Sequence, residues 1–292
     1  MGQAAVGLMR RRPRVQRFDV AIYILIVALS LTTMVPIGWM LSTALKSKAA
    51  LYAYPPSFFP TEFHWENFID GAKAINFGQL FFNSCIITGL TVIGAVASSS
   101  IVGYGLARIR FPGRKVLFYA FIGSMMLPGI VSLFPLFYVY NKIGWYNTWL
   151  PLIVPAFFGN PFFIFLARQY YMGVPLEYDE AAKIDGASHW TIFLRIMVPL
   201  TRPVWITMGI LAFQASWNDY LNPLVYLYDA DKWPLSVGMA SFAGGFAGVA
   251  VTAWNQYMAT NVLYLLPSLA IFFVAQRYFM QGLSSLGTAN LK

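Results

Sequence analysis

The chain has a single cysteine, Cys85, and two histidines, His64 and His189. One cysteine cannot close an internal disulfide, and so few ligands cannot build the usual Cys/His zinc sites. Charge is scarce too: 11% of the 292 residues are Asp, Glu, Lys or Arg, against about 25% in a soluble domain. That excludes most soluble folds. No GxxxxGK[ST] stretch is present, so the chain lacks the loop that cradles nucleotide phosphates and is expected to hold no ATP of its own. No grouping of acid, base and nucleophile is visible, which argues against an enzyme. No polar linker or low-complexity tract divides the sequence.

What the chain has in excess is apolar surface, with 58% hydrophobic residues, 17% aromatics and a mean hydropathy of +0.60. A net charge of +9 is compatible with nucleic acid, but this hydropathy sets most of the surface against lipid. A membrane protein without a nucleic-acid partner is expected.

A bilayer core of ~30 Å needs about 20 residues of helix free of exposed charge. The neutral gaps supply six crossings: Val20 to Leu45, Leu80 to Ala107, Val116 to Asn141, Ile143 to Ala167, Pro203 to Tyr228, and about Met258 to Gln276. Pro151, Pro155 and Pro161 predict a short or kinked fourth helix. The stretch around Gly238, Gly244, Gly245 and Gly248 is read as a folded outer loop, the alternative being a seventh helix. Fifteen Lys and Arg residues fall in the tail, the second and fourth connections and the C-terminus, against five elsewhere. Basic residues stay on the cytoplasmic side, so both termini are expected there. A cleaved signal peptide has an apolar part of about 7 to 15 residues, and Val20 to Leu45 is longer than that. The expected organisation is a basic tail over 1–19 and a transmembrane unit over 20–292, with its core at about 80–277 and a cytoplasmic loop at 168–202.

In the second span Thr91, Ala95, Ser99 and Gly103 recur every fourth residue, with Ala107 continuing the series. That spacing stacks small side chains on one stripe and lets two backbones approach, in this chain or another.

The loop between the fourth and fifth spans is the most informative segment. Glu177, Asp179 and Glu180 follow Pro175 and place negative charge at the positive end of a short helix. Gly186 can end that helix and Ser188 can cap a second one. Trp190, Phe193, Leu194 and Met197 then form an apolar face ending before Pro199. A short helix with acids at its start and two alanines at its middle suits a partner's groove; a solvated turn is the plainer reading.

The run Glu180, Ala181, Ala182, Gly186, Ile196 and Pro199 resembles the EAA signature of permease subunits of binding-protein-dependent ABC importers, and Asp185, Gly186, Ala187 is similar to its carbohydrate-importer form. Val198 departs from the usual Leu. Asn83 and Ser84, Tyr104 to Arg108, Trp217 to Leu224, and Gln276 to Phe279 with Gly282 and Leu283 are similar to the subunit type of maltose permease protein G. The resemblance implies an all-α, polytopic type I importer (MetI-like) fold in a bacterial inner membrane. It implies a second permease subunit, two copies of an ABC ATPase that binds ATP and magnesium, and an extracytoplasmic solute-binding protein. It makes Glu180, Ala181, Ala182, Asp185, Gly186, Ala187, Ile196 and Pro199 the ATPase-coupling residues. It also implies that the tail Gly282 to Gly287, otherwise a disordered end, reaches toward the ATPase.

Within the fifth span Gln214, Asn218, Asp219 and Asn222 supply amides and one carboxylate for a candidate solute pathway. A structural hydrogen-bond network at the outer interface is the other reading for Asp219, and the favoured one. An ion-coupled carrier normally carries several intramembrane carboxylates or histidines, and here Asp219 stands alone. That carrier, and an ABC permease for a non-sugar solute, remain the alternatives.

Overall fold

The computed structural model describes residues 17–244 and 253–289, and all the described regular structure is helical. Four spans are long and apolar enough to cross a membrane: Val20–Ala44, Phe77–Arg108, Leu150–Gly173 and Trp254–Gln276. Two bent pairs, Arg114–Ser124 with Gly129–Lys142 and His189–Leu200 with Arg202–Trp217, bring the number of spans to six when each pair is one span. In chain order the main helices are α1 (Arg17–Ala44), α2 (Glu66–Ala74), α3 (Phe77–Arg108), α4 (Arg114–Ser124) and α5 (Gly129–Lys142). They continue with α6 (Pro161–Gly173), α7 (Glu177–Ile184), α8 (His189–Leu200), α9 (Arg202–Trp217), α10 (Leu221–Tyr226), α11 (Leu235–Phe242) and α12 (Trp254–Ala289).

Several expected boundaries are corrected. The third crossing is not one helix: α4 and α5 meet at 100°. Pro128 disfavours the helical conformation at Leu127, and the chain turns between Ser124 and Gly129. The fifth is not continuous to Tyr228 either. It stops at Trp217, where Asn218 donates from Nδ2 to the Gln214 carbonyl at 2.9 Å and so takes up an acceptor of the last turn. The fourth is kinked as its prolines require: a single turn at Leu150–Ile153 passes into a 3₁₀ turn, Val154–Phe158, before α6 begins at Pro161. The glycine stretch opens as neither loop nor crossing but as α11, whose Leu235 and Val237 are fully buried; residues 245–252 of it lie outside the described ones. At the other terminus the Gly282 to Gly287 segment is part of α12.

The small-residue stripe of α3 packs on the fourth span of the same chain. Thr91 Oγ1 donates to the Leu152 carbonyl at 3.2 Å, and Ser99 Oγ accepts the Asn160 N–H at 2.9 Å. Ala95 is buried, and a Cβ on Gly103 would lie 2.8 Å from the Ala167 Cβ. Close approach here needs the missing side chain. Around this contact Tyr104, Phe163, Tyr171, Phe193, Met197 and Met208 form one core; Leu80, Trp217, Leu235 and Met239 form a second.

Candidate functional site: a protruding loop and an intramembrane cavity

Helix α7 is short, and its two sides meet different surroundings. Asp179 and Ala182 face the protein at 4% and 9% exposure. Glu180, Ala181, Asp185 and Gly186 are exposed, and Ile184 is 88% exposed. Gly186 ends the helix with φ +78°, a left-handed conformation that glycine adopts without steric cost. There the Ala187 N–H returns to the Ala182 carbonyl at 2.9 Å and the Gly186 N–H to Lys183 at 3.0 Å, which satisfies acceptors of the last turn. Ser188 Oγ then accepts the Thr191 N–H at 3.2 Å and caps α8.

The expected apolar face of α8 is divided. Phe193 and Met197 are buried, joined by Ile192, whereas Trp190 and Leu194 are each 57% exposed. A π-helical turn over Phe193–Met197 widens the helix and changes which side chains share a face. The helix does not end before Pro199 but runs through it to Leu200. Ile196 and Ala187 are half-buried and Pro199 is exposed.

The link between this loop and the bundle is a pair the sequence reading missed. Arg108, at the end of α3, lies with Nε 3.7 Å from Oδ2 of Asp179, their side chains 2% and 6% exposed. Its Nη2 also donates to the Tyr171 carbonyl at 2.6 Å and to that of Val174. In the sequence Arg108 counted as an orientation charge and Asp179 as a helix-dipole charge; nothing in their spacing pairs them.

Deeper in the bundle, α3, the fourth span, α9 and the segment after α9 line a partly open cavity of about 390 Å³ whose polar lining is Thr88, Thr91, Asn160, Ser216 and Asp219. Of the four residues read as a solute pathway only Asp219 borders it. Its carboxylate accepts the Asn222 N–H at 3.2 Å and the Asn222 side-chain amide at 2.9 Å, so it also belongs to a local network. Asn218 is turned elsewhere, donating to Gln214 Oε1 and accepting the Tyr264 hydroxyl, each at 3.0 Å. Thr88 and Asn160 were not singled out by sequence; a Thr in an apolar helix and an Asn before Pro161 have ordinary structural readings.

One further polar cluster holds the opposite end of α3, and a second ties α1, α2 and α12. Asn83 is fully buried and donates from Nδ2 to the carbonyls of Asp231 (2.8 Å) and Trp233 (2.9 Å), and Ser84 Oγ accepts the Leu235 N–H at 2.7 Å. Nearby Asn67 ties the end of α1 to α2 by donating to Ala44 O at 2.9 Å, and Asn255 at the start of α12 donates to Asn67 Oδ1 at 2.9 Å. His64, without an evident partner in the sequence, sits 2.6 Å from Glu66. That hydrogen bond pulls the Glu66 carboxyl below its ordinary range.

Residues 95–285 match the family model described as "Binding-protein-dependent transport system inner membrane component". The chain belongs to this family. Among curated relatives, the family member is 31% identical to the diacetylchitobiose uptake system permease protein NgcG of Streptomyces coelicolor over 94% of this chain and 89% of that protein. It is 30% identical to the arabinooligosaccharides transport system permease protein AraQ of Bacillus subtilis, over 95% and 98%. It is 28% identical to the sn-glycerol-3-phosphate transport system permease protein UgpE of Pectobacterium atrosepticum, over 91% and 95%. A solved chain of a bacterial ABC transporter that imports alginate superposes with a TM-score of 0.80 at 23% identity, covering 92% of this chain and 100% of that one, which shows a shared fold. As a family member the chain is a multi-pass inner-membrane transport permease and not an enzyme.

Proposed function

We propose that this permease is one of two that form the transmembrane pathway of an ABC importer for a sugar or sugar-like solute, and that α7 is the element its ATPase grips. The observation that carries the reading is the outer side of α7: Ile184 is 88% exposed beside Glu180, Ala181 and Gly186. A large apolar side chain held out at the end of a helix that Gly186 closes suits a groove in a partner, and the EAA resemblance gives that partner its chemistry. Glu180, Ala181, Ala182, Asp185, Gly186, Ala187, Ile196 and Pro199 keep their proposed coupling role. Two ATPase copies bind ATP and magnesium, a binding protein delivers solute from outside, and both termini lie in the cytoplasm. The sugar class is supported by the names of the relatives, two oligosaccharide permeases and one for a polyol phosphate. Asp219, with Thr88, Thr91, Asn160 and Ser216, supplies the polar lining that hydroxyl-rich solutes need. Movement of α7 as the ATPases close rocks the attached spans and changes which side the pathway opens to.

The test is a thiol crosslink from Ile184→Cys in the complex purified through a tag on this chain, with uptake of labelled disaccharides, oligosaccharides and glycerol phosphate measured in parallel. The expected product joins the chain to a nucleotide hydrolase, and a saccharide is taken up only with ATP. Crosslinks that never reach a hydrolase sink the coupling role; uptake driven by an ion gradient alone selects a secondary carrier.

A further inference from the structure

Burying a lone ion pair costs several kcal/mol per charge unless geometry and hydrogen bonds repay it, so the pair between α3 and α7 calls for a reason. Arg108 and Asp179 are nearly inaccessible, yet Nε of one and Oδ1 of the other have no hydrogen-bond partner. The arginine's hydrogen bonds run sideways, from Nη2 to the carbonyls of Tyr171 and Val174 at the end of α6. One guanidinium therefore holds three elements: the end of α3 by covalent attachment, the end of α6 by hydrogen bonds, and the first turn of α7 by charge. Above it α3 and α6 are packed to backbone contact at Gly103 and Ala167. Further along, α3 contributes Thr88 and Thr91 to the cavity. Ser84 holds the start of α11, whose Ser236 donates to the Asp219 carbonyl at 2.7 Å. A single rigid helix thus runs from the loop to the cavity.

We propose that Arg108 and Asp179 are positioning residues for transport, a buried clasp that passes displacement of α7 to α3 and so to the cavity lining. The proposal rests on the reading of α7 as the ATPase-gripped helix. Without the clasp α7 can move while α3 stays, and hydrolysis is separated from the change in the cavity.

The test uses the complex isolated from membranes with its partner subunits, carrying Cys85→Ser and a reporter thiol, Ala215→Cys, which borders the cavity. Labelling by a water-soluble maleimide is compared with magnesium-ADP and with magnesium-ATP plus vanadate, and phosphate release is measured on the same preparation. In the parent the labelling rate changes with nucleotide. In Asp179→Ala that change falls by about tenfold while phosphate release stays near the parent rate, and Asp179→Glu, which keeps the charge, restores it. A full nucleotide response in Asp179→Ala overturns the clasp. So does a parallel fall of labelling response and phosphate release in the isosteric Asp179→Asn, or failure of that complex to assemble, since either makes the pair a folding element. Absence of any hydrolase from the parent complex overturns the underlying reading, and the clasp with it.

Discussion

Asn147 donates from Nδ2 to Oδ2 of Asp229 at 2.7 Å, while its own Oδ1 accepts the N–H groups of Tyr228 and Asp229 at 3.0 Å each. Its backbone completes the clamp, the N–H donating to Tyr226 O at 2.8 Å and the carbonyl accepting from Lys232 Nζ at 3.0 Å. One residue in a left-handed conformation, φ +60°, thereby fastens the connection before the fourth span to the connection after the fifth. Replacing it with alanine strands two backbone donors and strains the backbone, for an expected loss of about 1–3 kcal/mol. Asn147→Gly relieves the strain but not the lost bonds. A thermal melt of the detergent-purified chain should therefore rank wild type above glycine and glycine above alanine.

The same clamp has a pH dependence. Hydrogen bonds from Lys232 and then Asn147 hold the Asp229 carboxyl below its ordinary range. A carboxylate with a depressed folded pKa contributes stability that is present above its unfolded value, about 3.9, and lost as pH falls through the folded value. Proteolysis of the 227–233 segment should be slow at neutral pH and accelerate below about pH 4. Asp229→Asn should flatten that acid limb.

Gly186→Val should abolish uptake by the assembled transporter while the binding protein keeps its affinity for solute. Valine at φ +78° costs about 1–2 kcal/mol or more, and nothing lies within 4 Å of the Cβ position, so the penalty is conformational rather than steric. Normal uptake in this variant would leave the loop without a geometric role.

Two glycines of α3 separate packing from helix propensity. A Cβ at Gly103 meets Ala167 Cβ at 2.8 Å and the Ile164 carbonyl at 3.2 Å, whereas one at Gly105 meets nothing within 4 Å. Gly103→Leu should cost about 1–3 kcal/mol by overpacking and lower the yield of monodisperse protein on size exclusion. Gly105→Ala should be neutral or better.

Asp219→Asn should leave the complex assembled and reduce uptake by about tenfold or more, because it removes the one charge on the cavity wall. Its new amide also faces the Asn222 amide that the carboxylate now accepts, so Asp219→Asn with Asn222→Asp tests whether the hydrogen bond alone is enough. Restored uptake in the double variant assigns Asp219 to structure instead of to solute.

Much of this protein was legible because its rules are local. Lipid disfavours unpaired charge over about 20 residues, so neutral gaps mark the spans whatever their neighbours do, and the first helix ends at Ala44, one residue short of the expected Leu45. A left-handed glycine and a serine cap follow from residue chemistry, which is why Gly186 and Ser188 stand where their types predict. The bend between α4 and α5 was signalled by Pro128, but an apolar run through it disguised the break.

Composition and spacing alone determined a membrane-spanning helical bundle with a short charged helix in the loop between two spans, since burial in lipid and helix termination depend on residues near in sequence; the EAA reading of that loop came from its resemblance to a family. Only the tertiary structure decided which polar side chains meet: Arg108 with Asp179, Asn147 with Asp229, and Thr88 and Asn160 with Asp219 around one cavity. A buried charge or amide needs a partner, but its identity depends on how distant helices pack, and in one chain read by itself no period or motif records that choice.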